Sequence, residues 1–259
     1  MKLATWNVNS LKVRLPHVLE WLTQTQTDVL CIQETKQENH NFSHAAFREI
    51  GYHSYHNGQK TYNGVAIVSK KALVDVQLDI PNYSDEQKRF ISGKYPLTAS
   101  EFILIVSAYI PNGQSLESEK FIYKRKWLKA FISHITNLKK KFSSIAITGD
   151  FNIAPEDIDC HDPSAWDGQV LVSNIERDFF KEIINLGFFD AYRSLNPDLQ
   201  EFSWWDYRMA SFRRNLGMRI DHILLSNEER NKVNKALIDK GPRKLERPSD
   251  HTPVIIEIN

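Results

Sequence analysis

An α/β fold of mixed β-sheets packed face to face and flanked by helices is predicted by three features of this 259-residue chain. Short apolar or β-branched runs bounded by turn residues recur along its length, the pattern of strands. Segments with apolar residues at helical spacing lie between some of them. Several runs follow one another with no helix between, so a purely parallel, doubly wound sheet fits poorly.

The first run, "KLATW", leads into a segment where Leu15, Val18, Leu19 and Leu22 recur at helical spacing, with Ser10 as its cap. "DVLCIQ", "GVAIVS" and "EFILIVSAYI" then read as strands. A long helix is expected from about Glu119 to Lys141, with Phe121, Leu128, Phe131, Ile135 and Leu138 turned inward. "SSIAITG" is the next strand. "SNIERDFFKEIINLG" carries helix signals at both ends: Ser173 and Glu176 have capping-box spacing, and Gly187 stands where a left-handed residue closes a helix. "RIDHILLS" and "TPVIIEI" complete the strands. No repeat, low-complexity tract or Gly/Ser/Pro linker divides the chain, so residues 1–259 are expected to form a single domain.

Composition excludes several classes. Hydrophobic residues make up 41% and charged residues 25%, which argues against disorder. No run approaches the ~20 apolar residues of a membrane span. "MKLATWNVNS" lacks the apolar core and cleavage site of a secretory signal, so a cytoplasmic protein with no membrane partner is expected. Cys31 and Cys160 offer neither a disulfide nor a zinc framework. With a net charge of +1, a polyanionic partner would be held by local patches or a metal.

Chemistry appears where polar residues interrupt strand ends. "LATWNVNS" runs into Asn7, "DVLCIQET" into Glu34, and "SSIAITGDFNIAP" into Asp150 and Asn152; "GMRIDHILLS" sets Asp221 in an apolar run, and "RPSDHTPV" supplies Asp250 and His251. Any one alone is more often a turn former or cap. All share one grammar, however, and loops at corresponding ends of stacked sheets cluster at one edge. Asn7, Glu34, Asp150, Asn152, Asp250 and His251 are therefore expected in one cleft. Carboxylates so gathered raise one another's pKa unless a cation intervenes. Oxygen donors suit Mg²⁺ or Mn²⁺, one ion or two, rather than zinc. Such a metal polarises a phosphoryl oxygen or acidifies water, which points to phosphate ester hydrolysis. If buried, Asp221 needs a partner. Arg219 could supply it, but His251 is the more telling candidate, because directional chemistry needs a fixed imidazole tautomer.

"WNVNSL", "IQETK", "YNGVAIVS", "SAYIPNG", "GDFNIAP", "WWDYR", "RIDHILLS" and "PSDHTPV", in this order, resemble the exonuclease III group of apurinic/apyrimidinic endonucleases. That group lies within the endonuclease/exonuclease/phosphatase superfamily, whose fold is DNase I-like. The resemblance runs from Lys2 to the C-terminus. "GDFN" and "SDH" alone would mark only the superfamily; "WNVNSL", "QETK" and "WWDYR" mark the DNA-repair branch. It implies a four-layer α/β/β/α sandwich. It further implies that Glu34 is the principal metal ligand with Asn7 and Asp250 close by, and that the full candidate set extends to Asp150, Asn152 and His251. Asp150 would orient or deprotonate the attacking water, or handle the leaving-group proton, and Asn152 would hold that water. Tyr109 would lie against the scissile phosphate and Asn112 would contact a phosphate. His251 would bond a non-bridging oxygen or act as a base, with Asp221 behind it. The reaction implied is in-line hydrolysis of duplex DNA, 5′ to abasic sites or at 3′ ends, by a monomer.

For substrate contact, Trp204 and Trp205 beside Arg208, Arg213, Arg214 and Arg219 suit stacking and phosphate binding, although a tryptophan-rich core strand with a basic turn has the same composition. By family position, Trp204, Trp205, Met218 and Ile220 would line a pocket for a flipped-out abasic sugar. "EKFIYKRKWLKAF" and "LKKKF" could add backbone contacts, though charge runs are usually solvated faces. The loop "PEDIDCHDPSAWDGQVLVS" is expected to tune endonuclease against exonuclease activity, but Asp162 and Asp167 argue against strong DNA binding by it. Animal members carry an N-terminal extension before the first strand, and its lack here would fit a minimal bacterial-type enzyme. An inositol phosphate or lipid phosphatase would keep "GDFN" and "SDH" without the Trp/Arg segment, and a silent DNA-binding module would lack the catalytic residue types.

Overall fold

The computed structural model describes residues 1–259. In chain order its elements begin β1 (Lys2–Asn7), α1 (Leu11–Thr25), β2 (Val29–Gln33), α2 (His44–Glu49), β3 (His53–Asn57), β4 (Val65–Ser69), β5 (Val74–Leu78) and β6 (Phe90–Pro96). There follow β7 (Phe102–Tyr109), α3 (Glu119–Lys139), β8 (Ile145–Asp150), α4 (Pro163–Trp166), α5 (Asn174–Asn185) and β9 (Phe188–Asp190). The chain ends with α6 (Ala191–Leu195), α7 (Ser211–Arg214), β10 (Asp221–Ser226), β11 (Val233–Ile238) and β12 (Val254–Ile258).

The strands form two six-stranded mixed sheets, ordered β11-β12-β1-β2-β4-β3 and β5-β6-β7-β8-β10-β9. Alternation of side chains assigns each strand to two layers at once. Leu3, Cys31 and Ile67 of the first sheet meet Ile105, Ala146 and Ile223 of the second in a shared apolar core. On the outer face of the first sheet, Ala4, Leu30 and Ala66 pack under Val18, Trp21 and Leu22 of α1 and Phe47 of α2. Val106 and Ile147 of the second sheet pack under Trp127, Leu128 and Phe131 of α3 and Phe180 of α5. The result is the α/β/β/α sandwich, and no helix is long and apolar enough to cross a membrane.

Every strand read from an apolar run is present. The five unread ones are marginal: β5 and β11 alternate polar residues at sheet edges, β3 reads "HSYHN", β6 carries Gly93 and Pro96, and β9 has three residues. The Ser173–Glu176 capping box forms, and Gly187 closes α5 with φ 96°. Ser10 does not cap α1, for its φ is 87° and its side chain makes no cap bond. Its amide instead donates to the Glu34 carbonyl at 2.8 Å, joining the start of α1 to a cleft residue.

Candidate active site

Strand register explains why residues far apart in sequence meet. β1 and β2 are parallel with Asn7 opposite Gln33, so Asn7 and Glu34 leave the same sheet edge side by side. β7 and β8 are parallel with Tyr109 opposite Asp150, and β10 runs antiparallel to β8 with Asp221 opposite Asp150. β12 is antiparallel to β1, and the residues before Val254 extend past the Asn7 end, which brings His251 and Asp250 to the same edge. Gly149 allows the close approach just before Asp150: a Cβ there would lie 1.8 Å from the Ala108 carbonyl oxygen. Glu34 and Asn152 occupy the left-handed region at φ 53° and 51°, a conformation that costs non-glycine residues roughly 1–2 kcal/mol each.

These side chains form one connected network. Asn7 Nδ2 donates to Glu34 Oε1 and to Asp150 Oδ2, each at 2.9 Å. The Tyr109 hydroxyl donates to Glu34 Oε1 at 2.8 Å. Asp150 Oδ1 accepts the Asn152 amide at 2.9 Å, and Asn112 Nδ2 donates to Asn152 Oδ1 at 2.9 Å. His251 Nε2 lies 3.8 Å from Asp150 Oδ2, while Nδ1 donates to Asp221 Oδ2 at 2.9 Å. Ser203 Oγ donates to that Asp221 oxygen at 2.6 Å, and Asp221 Oδ1 is buried with no partner. Asp250 accepts from Asn9 Nδ2 at 2.9 Å and from Trp204 Nε1 at 3.1 Å.

The electrostatics differ across the cleft. Burial would raise the Glu34 carboxyl, but the Lys36 ammonium and the bonds from Asn7, Lys36 and Tyr109 hold it below its ordinary value. Burial pushes Asp150 up to about 7, with the Asp221 and Glu34 charges adding and His251 and Asn7 opposing. Burial would lower His251, yet the carboxylates of Asp221 and Asp150 raise it to about 10, so it is an imidazolium at neutral pH. Burial and the Glu34 charge keep the Tyr109 phenol protonated far above its usual range.

The donor set fits a hard cation. Lys36 Nζ already stands 3.0 Å from Glu34 Oε2 and 2.5 Å from Asn9 Oδ1, so positive charge is drawn to the Glu34 side. Asp150, Asp221 and His251 also bring ligand atoms within 4.8 Å of one another, a group that could bind a metal. Asp221 is fully buried, however, and its Oδ2 is already held by His251 and Ser203. Neither cysteine enters the network.

Several readings of the Trp/Arg segment need correction. Trp205, Met218 and Ile220 are fully or almost fully buried, so they present little surface for an abasic sugar in this conformation. Trp205 is held by Asn215 and Phe212, and Met218 and Ile220 pack with Leu171, Val172 and Cys160. Only Trp204 is partly exposed. Arg219 is buried against Asp159 and Asp190, too deep to meet phosphate. Arg208 is exposed but paired with Asp206. Lys124, within the lysine-rich helix, is wholly buried. Asn9, Lys36 and Ser203 also join the network; Asn9 and Lys36 lie within "WNVNSL" and "IQETK", whereas no local pattern marks Ser203.

The model of the endonuclease/exonuclease/phosphatase family matches residues 4–251. The chain is 33% identical to the exodeoxyribonuclease III of Haemophilus influenzae, over 99% of both. It superposes on a Neisseria 3′ phosphatase bound to a product DNA hairpin, with TM-score 0.96 and 41% identity, covering 100% of this chain and 99% of that one. It also superposes on an AP endonuclease from Archaeoglobus fulgidus, with TM-score 0.95 and 36% identity over 100% of this chain and 99% of that one.

Proposed function

The chain belongs to the endonuclease/exonuclease/phosphatase family, within its exonuclease III group of DNA-repair hydrolases, and from that premise we propose how its cleft cuts DNA. The substrates are duplex DNA bearing abasic sites or 3′ ends, and the enzyme works as a single-domain monomer in the cytoplasm. The observation that carries this reading is the hydrogen-bonded network through Tyr109, Glu34, Asn7 and Asp150, with the His251–Asp221 pair abutting Asp150. It joins an ionised carboxylate, a carboxylate able to take a proton near neutral pH, and a fixed imidazolium within one cleft.

In this reading Glu34, with Asp250 and Asn7, would hold Mg²⁺ or Mn²⁺. When bound, the metal supplies Lewis-acid stabilisation of the charge on the phosphoryl oxygens. Asp150, held by Asn7 and by the Asn152 backbone amide, accepts the proton of the attacking water. Asn152 lies beside it, and its amide fixes Asp150 Oδ1. His251 presents Nε2–H to a non-bridging oxygen, with its ring locked by Asp221. Tyr109 directs its hydroxyl toward the scissile phosphate, and the exposed Asn112 meets phosphate at the rim. The step is one in-line displacement in which the water oxygen bonds phosphorus as the P–O3′ bond breaks; the departing oxygen takes a proton from solvent to become the 3′-hydroxyl, and no covalent intermediate is needed. The partly exposed Trp204 indole is the aromatic surface an abasic sugar would meet first. Duplexes with a single abasic site, a 3′-phosphate or a recessed 3′ end, incubated with Mg²⁺ and then chelator, test the proposal. Metal-dependent hydrolysis of at least one is expected; none on all three refutes it.

A further inference from the structure

Lys124 of α3 is fully buried, yet its ammonium contacts the backbone of two cleft residues. Nζ donates to the Asn152 carbonyl at 2.7 Å, the Asn112 carbonyl at 3.1 Å and Glu176 Oε1 at 2.5 Å. An ammonium has three donors, and here each has an acceptor. Glu176 also accepts the Leu171 amide at 3.0 Å and the Ser173 hydroxyl at 2.5 Å, so the ion pair joins three loops at the cleft wall. Two of these loops carry Asn112 and Asn152, whose side chains bond each other at 2.9 Å. Asn152 sits in the left-handed region, and its amide holds Asp150.

Buried ion pairs are often no more stabilising than apolar side chains of the same shape. A packed leucine would serve α3 as well, but it would leave both carbonyls without donors. We propose that Lys124 is a positioning residue of the reaction, fixing Asn112 and Asn152 against Asp150 from behind, with Glu176 as its counter-ion. The proposal rests on the nuclease reading above.

The test compares the full-length enzyme with Lys124→Met/Glu176→Gln, which removes both charges together, and Lys124→Arg, whose planar group cannot place one nitrogen on all three oxygens. kcat and KM are measured with Mg²⁺ on a 3′-phosphorylated duplex, or on whichever duplex the wild type cuts. Active enzyme is counted by stoichiometric duplex binding in chelator. The double variant should keep KM within about 3-fold and lose roughly 10–100-fold in kcat, as displacement of a reacting group by a fraction of an ångström to an ångström does. Lys124→Arg should fall between. In an Asn152→Ala background the double change should cost no more than about 3-fold, because the group it acts through is gone. A purely structural lysine would cost the same in both backgrounds. Wild-type kcat in a folded variant, or an undiminished loss with Asn152→Ala, overturns the proposal; if only Lys124→Arg folds, its unchanged kcat does so. A wild type inactive on every duplex counts against the nuclease reading instead.

Discussion

Arg219 and Asp221, separated by Ile220, belong to two buried charge clusters of opposite balance. Around Arg219, Nε donates to Asp159 Oδ1 at 2.7 Å and a terminal nitrogen to Asp190 Oδ2 at 2.6 Å. Arg193 adds a second bond to Asp159, and backbone amides of Glu156 and Arg193 fill the remaining oxygens. Two arginines face two aspartates, and every carboxylate oxygen has a donor. Around Asp221, by contrast, Lys36 and His251 are the only cations within 4 Å of the carboxylates of Glu34, Asp150, Asp221 and Asp250, with Lys124 and Arg243 acting from further off, and Asp221 Oδ1 has no donor. Asp150, Asp221 and His251 are as buried as Arg219 and Asp159, while Glu34, Lys36 and Asp250 reach the cleft surface; the close pairing of charges differs more than the burial does. A compensated cluster holds loops in place, whereas an uncompensated one keeps a charge deficit that a cation and a phosphate can exploit.

Replacing Asp150 should break the uncompensated cluster most severely. Asp150→Asn removes the proton acceptor while keeping the shape, so kcat should fall toward the upper end of the roughly 10²–10⁴-fold range of general-base loss. Because a poorly compensated buried charge is removed, thermal stability at pH 8 should hold or rise. Turnover on a 3′-phosphorylated duplex and a melting curve measure the two sides. Lost activity together with lost stability would mean that Asp150 is structural.

The compensated cluster should respond the other way. Arg219→Met leaves Asp159 and Asp190 buried without their shared cation, a change expected to cost roughly 3–5 kcal/mol. Urea unfolding should show this as a lower midpoint at unchanged slope. Turnover per folded molecule should stay within about 3-fold at a temperature where the variant is folded. A variant as stable as the wild type but slow would move Arg219 into the reaction.

The sequence showed the second cluster's chemistry but not the first's. Asn7, Glu34, Asp150, Asn152, Asp250 and His251 each stand at a strand end, and strand ends are readable from apolar runs. Asp221 was legible because a carboxylate inside an apolar strand must find a partner. Arg219 reads equally as a phosphate contact or as part of a core strand with a basic turn, since a guanidinium beside tryptophans has one composition whether it faces solvent or core. Its partners Asp159 and Asp190 lie 60 and 29 residues away with no periodic pattern between. The same holds for Met218 and Ile220, where the type of side chain is local but its burial depends on loops packed over it. Edge strands β5 and β11 were missed because a half-solvated edge has no apolar run to read.

The smallest effect, the response of stability to pH, separates the clusters by sign. Asp150, raised to about 7 in the metal-free protein, keeps its proton when folded after the unfolded chain has released it near pH 4. Its contribution is therefore present at low pH and lost as pH rises from about 4 to about 7. Asp159 and Asp190, which burial alone would raise, are instead held below the ordinary range by Arg219. Their contribution is present above pH ~4 and lost as pH falls through their folded values. His251, at about 10, stays protonated throughout this window. Melting temperatures in chelator from pH 3 to pH 8 should thus show Asp150→Asn gaining on the wild type between pH ~4 and ~7, at about 2–4 °C per kcal/mol. Asp159→Asn should fall furthest behind above pH ~4 and recover below it. Two variants whose differences from the wild type run parallel across that range would mean that both clusters are equally compensated, and the contrast between them would fail.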